Sequence, residues 1–304
     1  VMTTSRLALI AAMTCCWSAH ARARPCQTML LKQQQLSRHG REKAAVERPD
    51  STSFVDSTDF SIRVHWQEGD QEDENAFLRQ RSADVLALVE GAWQRQVVEE
   101  GFDAPLPDEG QGGDDKLDIY LAAIGGSGAY TRAGDDIDSN DGRVATYAYV
   151  VVDVGIEDEF LPVVIEHEFN HVCQFAIDMR ATVFFAEASA VLQELLAYPD
   201  DGAWFTALAD FQKWPQAPIF TDGDAWKAVV AQDSLYDRGG ALFLLYLENR
   251  FGDGDGQFVR RLWQDSIQGD DVVGNEPDWL DALKATQPQS IGDLVLDFST
   301  WRAL

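Results

Sequence analysis

Five consecutive residues, His167-Glu168-Phe169-Asn170-His171, combine side chains that can do hydrolytic chemistry. Histidines four apart lie on one face of a helix, so both imidazoles can reach one ion. The intervening glutamate then stands beside the open coordination position, placed to accept a proton. Chance yields this H-E-x-x-H pattern in a chain of such length on the order of 1% of the time. Two unrelated surface histidines are therefore the weaker account. Two imidazoles do not hold a catalytic zinc alone; three protein ligands plus a water is the usual set. Only 5 histidines are available, and His20, His39 and His65 lie far upstream of the motif. A carboxylate is thus expected as third ligand, and the stretch from Phe184 to Glu194 offers Glu187 and Glu194.

The surrounding pattern says which elements must position these residues. Val163, Val164 and Ile165 before the motif and Val172, Phe175 and Ala176 after it predict an apolar helix. Upstream, Phe60, Ile62, Val64 and Trp66 alternate with Ser61, Arg63 and His65, which predicts a half-buried strand over 59–66. Residues 75–101 carry Phe77, Val85, Val89 and Trp93 at helical spacing and end at Gly101, which predicts one long helix. Lys116–Ile124 and Ala145–Val152 read as two more strands, with a polar turn at 110–115 between helix and sheet. From Glu157 onward the pattern is helical, broken near 199–201, 214–218, 251–256 and 275–278. Strands first and helices after predict an α+β fold: a mixed sheet with a long helix over 51–165, and a helical subdomain over 166–304 that completes the zinc site. A substrate held in extended form would pair with the strand at 145–152 or at 116–124.

The N-terminal stretch reads as an address. Arg6, an apolar run from Leu7 to Trp17 and the small-residue sites Ala19-His20-Ala21 and Ala21-Arg22-Ala23 have the order of a secretory signal peptide over 1–23. The run is too short to span a bilayer, so no membrane insertion is expected once it is removed. Residues 24–50 are basic and polar, a flexible tail or pro-segment. Cleavage would leave Cys26 and Cys173, which allow one disulfide, although a buried free thiol at Cys173 is the simpler expectation. Residues 1–48 hold 8 basic and 2 acidic side chains of the 24 and 51 in the chain, leaving 16 and 49, a net of −33, for the rest. Such a body repels phosphate backbones, which argues against nucleic-acid binding.

Three segments together resemble the gluzincin metallopeptidases. The H-E-x-x-H motif is followed by Phe185-Ala186-Glu187, Ala190 and Glu194, which match the W-L-N-E-G-F-A-x-x-x-E pattern of the aminopeptidase N family. Tyr236-Asp237-Arg238-Gly239-Gly240-Ala241-Leu242, continuing to Tyr246-Leu247-Glu248, resembles that family's Y-E-K-G-x-A-L-L-x-Y-L-E segment. The resemblance covers about residues 145–250 and implies a thermolysin-like catalytic core, nearest to uncharacterised secreted bacterial metalloproteases. It implies His167, His171 and Glu187 as ligands of one catalytic zinc, Glu168 as general base and Glu194 as the partner of a ligand histidine. It also implies Tyr236 as hydrogen-bond donor to the developing oxyanion. Departures are visible. Fifteen residues (172–186) separate His171 from Glu187, a shorter link than in the aminopeptidases. Val191 stands where thermolysin relatives place an aspartate. No G-x-M-E-N motif for a free amine precedes the site, which favours an endopeptidase.

The expected function is a secreted zinc metallopeptidase, a hydrolase acting on peptide or protein substrates. Two alternatives are a catalytically silent secreted binding protein on the same scaffold and a zinc amidase acting on a non-protein substrate. Retention of Glu168 argues against the first, since binding needs no general base. Asp136-Ile137-Asp138-Ser139-Asn140-Asp141-Gly142 is similar to a calcium loop, but its glycine is one place late and no glutamate closes it. A solvated turn is the better reading there, with structural calcium as the lesser one.

Overall fold

The computed structural model describes residues 28, 48–125, 128–136, 145–179, 181–202, 204–219, 225–231, 234–266 and 278–302. The expectations for the signal peptide, for Cys26 and for the acidic loop after Asp136 lie outside the described residues.

Five strands form one sheet: β1 (Ser53–Asp56), β2 (Ile62–Trp66), β3 (Leu117–Ala122), β4 (Ala129–Asp136) and β5 (Thr146–Asp153). Their order across the sheet is β1-β2-β3-β5-β4. The three inner strands run parallel, with β1 and β4 antiparallel on the two edges. The parallel step from β2 to β3 is made by α1 (Glu72–Trp93), which continues into a wide π-helical turn at Gln94–Glu99. That pattern alters the reading of β2 as half-buried: all five residues are buried. An inner parallel strand is covered on both faces. Arg63 and His65 are thus buried as well, and each finds an aspartate partner. Phe77, expected to face inward from α1, is 53% exposed.

The strands expected to receive substrate have no free edge. β5 is paired on both sides, by β3 and β4, and β3 by β2 and β5. The edge strand near the motif helix is β4, unpaired on its outer side with any strand among the described residues, and its sequence Ala-Tyr-Thr-Arg-Ala-Gly-Asp-Asp has no clean apolar alternation. Edge strands tolerate such polar composition because one flank faces away from the sheet.

The helical half comprises α2 (Leu161–Ile177), α3 (Val183–Ala197), α4 (Trp204–Lys213), α5 (Tyr236–Gly239), α6 (Ala241–Phe251), α7 (Gln257–Asp265), α8 (Asp278–Thr286) and α9 (Ile291–Arg302). The gaps after α3, α4 and α6 fall at predicted breaks, whereas those at 178–182 and 287–290 were not predicted. The second residue of α2 is Pro162, whose fixed φ and missing N–H suit a first helical turn. It is sandwiched between the sheet and α3, so nearly every residue of it is buried. The boundary expected at 165/166 falls inside this helix, and one apolar core unites residues of the sheet with those of the later helices. Phe185 on α3 stacks on Trp263 and Trp279 at 4.7 and 4.9 Å between ring centroids. Those contacts tie α3 to α7 and α8 and fix the helix that must face the motif. Cys173 is a buried free thiol.

Candidate metal centre

A helix buried on all sides carries six polar side chains that cannot reach water, Glu166, His167, Glu168, Asn170, His171 and Gln174. Each of these needs a partner. Glu166 is held by Arg95 and by Gln96, whose amide donates to its carboxylate at 2.8 Å and to its carbonyl at 3.1 Å. Gln96 also accepts from Asn170 at 2.9 Å. The π-helical turn at the end of α1 thus supplies the polar partners for the buried side of α2.

The two histidines use their Nδ1 atoms in this way. His167 Nδ1 meets Glu194 Oε1 at 2.5 Å. His171 Nδ1 meets Gln174 Oε1 at 2.9 Å. The Gln174 amide orientation is settled by its other end, where Nε2 donates to the Ala186 carbonyl at 3.0 Å. A carbonyl can only accept, so Oε1 is the atom facing His171. In the tautomer that places the proton on each Nδ1, toward its oxygen partner, each Nε2 presents a lone pair. These lone pairs converge: the two Nε2 atoms lie 3.1 Å apart.

Glu187, on α3, completes the group. Its Oε2 is 3.6 Å from His167 Nε2 and its Oε1 is 3.6 Å from His171 Nε2. Ligand atoms from all three residues fall within 4.8 Å of one another, and all three residues are buried. Oε1 has no hydrogen-bond partner among the described residues. A buried carboxylate oxygen left so, beside two imidazole lone pairs, fits a cation. Two histidines and one glutamate are a catalytic-zinc donor set, with the Nδ1 partners holding each ring in place. Glu194 lies two helical turns beyond Glu187, on the same face of α3.

The electrostatics of His167 and Glu187 favour the same picture, whereas the upward shifts at His171 and Glu194 run against it. Burial, with His171 and Arg238 adding to it, pushes His167 down to about 3, so that it is neutral at pH 7. At His171 burial acts in the same direction but is outweighed by the Glu187 and Glu168 carboxylates, and the net shift is upward. Burial opposes the charge on Glu187 too; the Arg238 guanidinium and the two histidines overcome it and hold the carboxyl well below the usual range. Burial raises Glu194 to about 8, against the opposing pull of Arg238.

Glu168 is buried, and its Oε2 accepts from the Thr131 hydroxyl at 2.8 Å and from the Thr28 hydroxyl at 2.8 Å. Thr28 Oγ1 in turn accepts from the Thr131 backbone N–H at 2.7 Å. Thr131 belongs to β4, so the edge strand and the candidate general base share a partner from the N-terminal stretch.

Tyr236 is placed differently from the expectation. Its hydroxyl donates to the Ala217 carbonyl at 2.7 Å, and its ring packs on Phe184 and Phe211 at 5.9 and 5.0 Å. Burial in this apolar setting raises its phenol out of the ordinary range. A phenol committed to a backbone carbonyl in the core is a packing residue, and the oxyanion role is withdrawn from it. The side chain of this turn that does reach the group is Arg238, whose Nε donates to Glu187 Oε2 at 3.0 Å. Sequence reasoning missed Arg238, Gln174, Thr131 and Thr28. Gln174 stands three residues after His171, one helical turn on, so a signal for it was present.

No protein-family model matches the chain, and no curated protein matches it. Among solved structures, a two-domain M1 zinc metallopeptidase, a point mutant with L-arginine bound, is similar at a TM-score of 0.39 and 15% identity. That likeness covers 83% of this chain and 51% of the other, so the chain spans about half the length of that protein. A likeness of that size is distant, and the site's own residues carry the reading that follows.

Proposed function

We propose that the protein is a secreted zinc-dependent endopeptidase, with His167, His171 and Glu187 holding the ion and Glu168 acting as general base. The observation that carries this reading is the convergence of the two Nε2 atoms and a carboxylate oxygen of Glu187 among three buried residues. A zinc ion held there would supply Lewis-acid polarisation of a carbonyl and an acidified water. The Glu168 carboxylate takes the proton of the attacking water and returns it to the departing amine. Thr131 orients that carboxylate through its hydroxyl, and the β4 edge on which it sits is the strand beside which an extended peptide would lie. Glu194 and Gln174 keep the proton on each Nδ1 and so keep each Nε2 available.

Export rests on the signal-peptide pattern of residues 1–23, and internal cleavage on the missing amine-holding motif. The test is digestion of a peptide library by zinc-loaded protein, with and without a chelator, and by Glu168→Gln. Chelator-sensitive internal cleavages that vanish in Glu168→Gln are expected. Undiminished cleavage by Glu168→Gln, or none by the zinc-loaded wild type, contradicts the reading.

A further inference from the structure

The turn that carries Tyr236 also carries Arg238, and it is pressed unusually close to its neighbours. A Cβ on Gly239 would lie 2.3 Å from the Ala207 carbonyl oxygen, and one on Gly240 would lie 2.4 Å from the Phe184 ring. Two consecutive glycines therefore let α5 seat directly on α4 and α3. Tyr236 pins the same turn from inside through the Ala217 carbonyl. With its backbone fixed at both ends, Arg238 extends to Glu187 with a side chain only 17% exposed.

The two oxygens of Glu187 then differ in a way that bears on chemistry. Oε2 accepts from Arg238 Nε at 3.0 Å. Oε1 is buried and unpartnered among the described residues. A catalytic zinc keeps a position for water because its protein ligands number three. A carboxylate free to turn can bring both oxygens to the ion and fill that position.

We infer that Arg238 is a positioning residue that ties up Glu187 Oε2, restricts the carboxylate to one-oxygen ligation through Oε1, and so keeps a coordination position open for water. The inference rests on the zinc reading of the same three ligands. Arg238 acts through Glu187 and needs no contact with substrate. The glycine pair explains why an arginine at this point reaches the ligand at all.

Arg238→Met removes the donor and keeps most of the side chain's volume. X-ray absorption of the zinc protein should show one additional oxygen at ligand distance in Arg238→Met. The cobalt-substituted form should show the weaker visible absorption of a higher coordination number. Turnover should fall about tenfold to a hundredfold with KM little changed, the usual cost of losing a group that orients a metal ligand. Arg238→Gln keeps an N–H donor and drops the charge, so its absorption spectrum should stay close to wild type. It also serves if Arg238→Met does not fold. A wild-type spectrum in folded Arg238→Met, or a two-oxygen spectrum in Arg238→Gln, overturns the inference. Wild-type protein that takes up no zinc would instead overturn the reading beneath it.

Discussion

The sheet has a charged, buried cluster on each side, and the two are built from similar residues. On the face away from α2, Arg48 bridges Asp108, at 2.7 Å, and Asp118. His65 joins them through Nε2 to Asp118 Oδ1 at 2.7 Å, with its ring stacked on Tyr120 at 4.6 Å between centroids. On the side covered by α2, and carried by α2, α3 and α5 rather than by strands, are His167, His171, Glu187, Glu194 and Arg238. Each cluster has histidine, carboxylates and an arginine. The difference lies in where the imidazole nitrogens point. Both nitrogens of His65 face oxygen atoms, Asp118 Oδ1 and, at 3.4 Å, Ser51 Oγ. In the other cluster each Nδ1 faces an oxygen, while the Nε2 atoms face each other at 3.1 Å. Each cluster contains an arginine cation, Arg48 in the first and Arg238 in the second. Only in the second do imidazole nitrogens converge on one another, beside Glu187. Residue types alone do not separate a buried ion-pair network from a metal site, whereas lone-pair direction does.

The largest expected effect separates the two clusters by stability. Asp118→Ala leaves Arg48 with Asp108 as its remaining carboxylate and one buried nitrogen of His65 without its partner, and should cost about 2–3 kcal/mol. Urea unfolding should show that loss while zinc bound per folded chain is unchanged. A loss under about 1 kcal/mol, or a loss of zinc, would break the distinction between a structural face and a functional one.

The reverse experiment is Glu194→Gln. An amide can donate to His167 Nδ1 and turn the proton to the wrong nitrogen, so zinc affinity should fall about 10- to 100-fold in competition with a chelator. Stability without metal should change little. Unchanged affinity would mean that the His167–Glu194 contact does not orient the ligand.

The sequence made the centre of the site legible and its periphery obscure, for reasons that can be traced residue by residue. The i, i+4 histidines and Glu168 could be read directly because helical periodicity fixes their common side. A carboxylate from 184–194 was expected as third ligand, and the family resemblance implied Glu187 for that place and Glu194 as the partner of a ligand histidine. Tyr236 was misplaced because a motif fixes where the chain turns, not which side chain of the turn faces inward. The close seating of Gly239 and Gly240 puts Arg238 toward Glu187 and Tyr236 into the core. β4 was missed because an edge strand need not alternate. The covering of β2 on both faces depends on Arg48, Asp108 and Asp118, which come together only in the fold.

A smaller effect concerns Thr28, whose hydroxyl donates to the base. A hydrogen bond to a carboxylate stabilises its charged form and lowers its readiness to take a proton. Thr28→Val should raise kcat/KM about fivefold, corresponding to one hydrogen bond of about 1 kcal/mol. Unchanged or lower kcat/KM would show that Thr28 does not restrain Glu168.

The smallest effect returns to the structural cluster. Burial raises Asp108 from 3.8 to about 6, in spite of Arg48 beside it. The folded chain then holds this proton more tightly than the unfolded one. Asp108 therefore contributes stability that is complete below the unfolded value and is lost as pH rises through the folded one. The stability difference between wild type and Asp108→Asn should fall across the window from 3.8 to about 6. A difference that stays flat over that range would remove the raised carboxyl from the account.

The central claim is that His167, His171 and Glu187 hold a metal together, and counting zinc tests it most directly. Metal analysis of purified wild type and Glu187→Ala, each dialysed against trace zinc, should give one zinc per chain in the first and little in the second. Full zinc occupancy in Glu187→Ala, or none in the wild type, would contradict it.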